Sequence, residues 1–159
     1  MPQRADERDE ADRGRRRSAW GAALVGVGSM AAVDEIVFHQ ILSWHHFYDR
    51  GTTEIALLSD GVLHAAELVA MVAGFFVLAD LVRGAHLVRV AAWGGFLLGA
   101  GGFQIFDGTV NHKVLSLHEI RYGVDLLPYD LAWNLAGVVL LVAGAVLVRR
   151  SRHANGRAP

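Results

Sequence analysis

Four apolar stretches, each about as long as a bilayer core is thick, constrain this chain more than any other feature: residues 20–42, 60–82, 87–110 and 131–148. A hydrocarbon core about 30 Å thick needs roughly 20 mostly apolar residues per helix, because lipid offers no partner to an unpaired backbone group. The overall composition agrees, with 53% hydrophobic residues and a mean hydropathy of +0.31. The expected fold is therefore an all-α, four-helix transmembrane bundle. A short link at 83–89 makes a tight hairpin, while the first and third connections are longer and carry Gly51, Gly123 and Pro128 as turn residues.

Basic residues set the orientation, since Lys and Arg near span ends are retained on the cytoplasmic side. Arg4, Arg8, Arg13, Arg15, Arg16, Arg17, Arg83, Arg89, Arg149, Arg150, Arg152 and Arg157 fall on one side, against Arg50, Lys113 and Arg121 on the other. Both termini are expected in the cytoplasm. Residues 1–18 mix acids and bases with little apolar surface and read as a disordered charged tail. Residues 19–148 form the four-span domain, and 149–159 form a basic tail. A signal peptide cut near Ala32 is the alternative for the first apolar stretch, but the hydrophobic pattern resumes through Ile36, Val37, Phe38, Ile41 and Leu42.

Polar residues are distributed unevenly within the spans. The cytoplasmic halves are almost wholly apolar, as in GAALVGVG after Trp20 and VVLLVAGAVLV near the end. The external halves carry Asp34, Glu35 and His39, then Asp60, His64 and Glu67, then Gln104, Asp107 and Asn111, then Asp130 and Asn134. An ionisable side chain in hydrocarbon costs about 2.5–3.5 kcal/mol or more, so such groups face the bundle interior and find partners. On an α-helix, Asp60, His64 and Glu67 share one face, Glu35 and His39 stand at i and i+4, and Gln104, Asp107 and Asn111 form another stripe. Gly95 with Gly99, and Gly28 with Ala32, are small-residue pairs of the kind that let helices approach closely. Trp44, Tyr48 and Tyr129 read as interfacial aromatics.

Six of the eight histidines, His39, His45, His46, His64, His112 and His118, gather at that same external level, while His86 and His153 are cytoplasmic. Neutral imidazole is the commonest metal ligand, and a carboxylate commonly orients it through its other nitrogen. No cysteine is present, which excludes thiolate zinc sites, iron–sulfur clusters and disulfides. His and carboxylate ligation suits Zn, Fe or Cu(II). The expected metal set is His39, His64, His112 and His118, joined by His45, His46, Asp34, Asp60, Glu67 and Asp107.

Three other readings compete: haem held by two of His39, His64 and His112; a structural or assembly subunit of a respiratory complex; and proton or ion translocation. Translocation is weakened because the cytoplasmic halves offer little beyond Ser29 and Asp80 as relay steps. Whether the chain is an enzyme is left open. The expected surroundings are lipid and a membrane partner or second copy, with no nucleic acid.

The segments D-E-I-V-F-H-Q-I-L-S-W-H-H (34–46), S-D-G-V-L-H (59–64), G-G-F-Q-I-F-D-G-T-V-N-H-K (101–113) and L-H-E-I-R-Y-G (117–123) resemble an uncharacterised family of bacterial membrane proteins, domain of unknown function 2243. The resemblance implies a small multi-span inner-membrane protein with a histidine-rich signature at Asp34, His39, His45, His46, Asp60, His64, Gln104, Asp107, His112 and His118. It implies no particular activity.

Overall fold

Helix is the economical answer for apolar segments this long, since each satisfies its own backbone. The computed structural model describes residues 2–154, and those residues form four helices without a strand. α1 runs Pro2–Val33 and continues as a π-helical segment, Asp34–Ile41. α2 spans Thr53–Arg83. α3 spans Arg89–Phe106 and also continues as a π-helical segment, Asp107–Val114. α4 spans Leu127–Ala154. Three helical stretches, Arg8–Ile41, Thr53–Arg83 and Leu127–Arg152, are long and apolar enough to cross a membrane.

The charged stretch expected to be a disordered tail forms the opening turns of α1. Its links are polar: Arg15 pairs with Asp12 one turn away, and Arg17 reaches Asp80 at the end of α2 at 2.7 Å. Ser18 accepts the Val88 N–H and donates to the Gly14 carbonyl, tying α1 to the start of α3. The basic tail expected at 149–159 lies partly outside the described residues, as α4 is described to Ala154.

Packing order follows from the small residues. α1 and α3 run side by side in the same direction at the centre, with α2 against α1 and α4 against α3. A Cβ added to Gly26 would overlap the Phe96 carbonyl, and one added to Gly99 would overlap the Ala23 carbonyl, so the two backbones touch where these glycines sit. In lipid such close approach replaces the hydrophobic drive that packs helices in water.

Those two contacts are equivalents of one another. Gly26 stands to Gly99 as Ala23 stands to Phe96, at one constant offset along the chain. That offset also pairs Asp34 with Asp107, His39 with His112, Ser43 with Ser116 and His45 with His118. H-Q-I-L-S-W-H and H-K-V-L-S-L-H are thus two copies of one segment. The outer helices repeat as well: an added Cβ on Gly74 meets the Gly21 carbonyl at 2.5 Å, and one on Gly144 meets the Gly94 carbonyl at 2.8 Å. The bundle is therefore two helical hairpins related by a pseudo-two-fold axis that runs along it between α1 and α3.

Candidate metal centre

Both central helices widen to π geometry at the same depth, and the widening assembles the site. On an α-helix, residues five apart diverge by about 140° around the axis. The i→i+5 bonding of a π-turn brings them onto one side. Asp34 and His39 are five apart, as are Asp107 and His112, and in each pair the carboxylate faces the imidazole: Asp34 Oδ2 lies 3.6 Å from His39 Nε2, and Asp107 Oδ2 lies 3.1 Å from His112 Nε2.

Each π segment then ends in the same turn. Leu42 N–H bonds to the Val37 carbonyl and Trp44 N–H to the Phe38 carbonyl, matched by Leu115 to Val110 and Leu117 to Asn111. Ser43 and Ser116 take left-handed backbone angles, φ 49° and 47°. Serine is rarely held there, and the conformation costs of order 1–3 kcal/mol. Its effect is to send the chain back so that His45 and His118 come beneath the π segments.

The two returning histidines meet at the pseudo-axis. Their rings stack at 4.4 Å between centroids and 3° between planes. His45 packs edge-on to His39 at 4.6 Å, and His118 edge-on to His112 at 4.6 Å. His45 Nδ1 lies 2.8 Å from the Ile120 carbonyl, and His118 Nδ1 lies 2.9 Å from the Phe47 carbonyl. A carbonyl only accepts, so each Nδ1 carries the proton and each Nε2 is left with its lone pair. Both Nε2 atoms are buried without a hydrogen-bond partner. Burial lowers both His45 and His118 from the usual histidine range, reinforced at His45 by the neighbouring imidazoles and opposed at His118 by Asp107.

His39 and His112 have carboxylates on their other nitrogen. His39 Nδ1 lies 2.7 Å from Glu35 Oε2 and 3.2 Å from Asp60 Oδ1, and His112 Nδ1 lies 3.7 Å from Asp130 Oδ1. Neither nitrogen of either ring has a contact aligned as a hydrogen bond. Asp60 is itself fixed, accepting from the Phe47 N–H at 2.8 Å and lying 2.6 Å from His46 Nδ1. Since Phe47 also supplies the carbonyl under His118, Asp60 braces both halves. Asp130 is paired with Lys113.

Of the ten residues expected from sequence, six converge: Asp34, His39, His45, Asp107, His112 and His118, all buried. Asp60 stands behind His39, and His46 stands behind Asp60. Glu67 is buried and faces His64 at 2.5 Å, and the His64 side chain is 50% exposed and makes no contact with the four clustered histidines. Candidate donor sets with all ligand atoms within 4.8 Å of each other are Asp34–His39–His45, His45–His112–His118 and Glu35–His39–Asp60. Sequence reading placed Glu35 and Asp130 near the site without counting them as members. It missed the Phe47 and Ile120 carbonyls, which no side-chain pattern announces, and it missed the duplication, for which the repeated H-x-x-L-S-x-H was the available signal.

The donor set fits a cation. Asp34, Glu35, Asp60 and Asp107 are buried together, whereas among the described residues the buried arginine is Arg15, at the opposite end of the bundle. Four imidazole lone pairs and several carboxylates aimed at one another in a low-dielectric interior repel unless positive charge lies between them.

Fold and cluster together define a class: an all-helical membrane protein enclosing a grouping of histidines and carboxylates that could hold a metal ion. The chain belongs to the family described as "Predicted membrane protein (DUF2243)", whose model matches residues 21–151. No curated protein and no solved structure matches it.

Proposed function

We propose that this protein binds a transition metal in its four-histidine, two-aspartate cluster, at the external end of a four-span bundle. The observation that carries this reading is the set of buried, unpartnered Nε2 atoms on His39, His45, His112 and His118, with Nδ1 of His45 and His118 tied to backbone carbonyls and Nδ1 of His39 and His112 facing carboxylates. That is how a protein presents imidazole to a metal: one nitrogen oriented from behind, the other offered forward. All-nitrogen-and-oxygen ligation favours Zn(II), Fe or Cu(II) over Cu(I).

Haem held by two of His39, His64 and His112 is disfavoured by the same geometry, since His64 is half exposed and meets Glu67, while His39 and His112 face carboxylates from both ring nitrogens. α3 reads as the fourth span: Gly95 and Gly99 touch α1 and Gly94 and Gly101 touch α4, so little of it needs to face lipid. The arginine-rich end, which holds the start of α1 and the end of α4, belongs on the cytoplasmic side of a bacterial inner membrane.

The test is elemental analysis of the full chain, purified in detergent without chelator. Stoichiometric Zn, Fe or Cu in the wild type, lost in the double variant His45→Ala/His118→Ala, is the expected result. Wild type that neither retains nor takes up any of these metals would overturn the reading and leave the cluster as a packing device.

A further inference from the structure

We propose that the cluster is a dinuclear centre, with one ion held by Asp34, His39 and His45 and a second by Asp107, His112 and His118. This rests on the metal-binding reading above and adds the number and arrangement of ions.

The first support is the duplication. Three contacts that prepare one triad have counterparts preparing the other: the Asp Oδ2 to His Nε2 approaches of 3.6 and 3.1 Å, the edge-on ring pairs at 4.6 and 4.6 Å, and the Nδ1 to carbonyl bonds of 2.8 and 2.9 Å; Glu35 against His39 has none, since Gly108 stands at its equivalent position, and in the second half His112 and His118 group with His45. Those carbonyls are exchanged, each copy's loop holding the histidine of the other. A site with this symmetry takes either one ion on the axis or two equivalent ions beside it.

Ring orientation decides between them. An imidazole lone pair lies in the plane of its ring, so the metal it binds lies near that plane, about 2.0–2.1 Å from the nitrogen for zinc. The His45 and His118 planes are within 3° of parallel and their centroids are 4.4 Å apart. Stacked parallel planes do not meet, so one ion on the axis would sit far out of both. One ion per plane satisfies each ring, and each plane already has an aspartate and a second histidine from its own copy beside it. Two ions about 3.5–4 Å apart are a common arrangement in proteins that hold metal pairs.

Charge points the same way. Asp34, Glu35, Asp60, Glu67 and Asp107 are all buried at this end of the bundle, a concentration of acids that two divalent cations offset further than one. A centre of this kind, with three protein ligands per ion, keeps open coordination positions for a small bridging oxygen ligand.

The experiment is metal loading of the detergent-solubilised full chain with Co(II) or Cu(II), followed by elemental analysis and electron paramagnetic resonance. Two ions per chain and a spin-coupled Cu(II) pair are expected. The half-site variants His39→Ala and His112→Ala should each retain one ion with an uncoupled signal. One ion per wild-type chain, or two that are magnetically independent, would overturn the dinuclear centre while leaving metal binding intact. No ion at all would overturn both. The wild-type measurements stand whether or not a variant folds, and loss of both ions from a helical, folded half-site variant would count against two separate triads.

Discussion

His45 and His118 lie face to face on the pseudo-axis, and each is held by the other's loop: His45 through the Ile120 carbonyl, His118 through the Phe47 carbonyl. Because the bonds cross, each half of the site helps to position the other. Replacing either histidine with phenylalanine keeps ring volume but removes one buried hydrogen bond, leaving a carbonyl unpaired. A loss of about 1–3 kcal/mol is expected, together with one ion from the metal content. Thermal unfolding in detergent, with and without chelator, separates the two effects, since the structural loss persists in the stripped protein.

Asp60 contacts His39, His46 and the Phe47 N–H without being a member of either aspartate–histidine triad. Asp60→Asn should therefore weaken metal rather than abolish it, by about 10–100-fold, the usual cost of losing an outer partner to a ligating histidine. Competition against a chelator of known affinity reads this directly. Affinity equal to wild type would mean that Asp60 does not orient the site.

His64 is the converse case. Its sequence position, one turn before Glu67 and one after Asp60, made it a leading ligand, yet the side chain is half exposed and meets Glu67 rather than the cluster. His64→Ala is expected to leave metal stoichiometry unchanged. A His64→Ala protein that retains its fold but loses an ion would place this histidine in the site after all.

The fate of His64 shows where sequence reading stops. Four helices were legible because apolar length and periodicity are local properties, and the depth of the cluster was legible because hydrocarbon confines acids and histidines to one end. Faces were assigned on α-helical spacing. That spacing found Glu35 beside His39 and Asn111 beside Asp107, both of which the structure shows, but it could not find the i,i+5 contacts of Asp34 with His39 and Asp107 with His112 that the π segments add. A π-turn is stabilised by what it assembles in three dimensions, so the residues that adopt it carry little local signature. What the chain does display is the repeat itself, visible once 39–45 is laid over 112–118.

Helix packing offers a prediction independent of metal. Gly26 and Gly99 are equivalent positions at the α1–α3 contact, and any side chain there meets a backbone carbonyl that has nowhere to move. Gly26→Leu and Gly99→Leu should each destabilise the protein by 1–3 kcal/mol or more, about the range for overpacking, and by similar amounts because the two sites are copies. Gly61 and Gly102 serve as controls, since an added Cβ meets nothing within 4 Å at either. Alanine at those positions should be neutral or gain up to about 1 kcal/mol from helix propensity. Unfolding midpoints in a fixed detergent give the comparison. Tolerance of leucine at Gly26 or Gly99 would mean that α1 and α3 do not touch there, and with that contact gone the pseudo-axis would lose the packing that brings His45 onto His118.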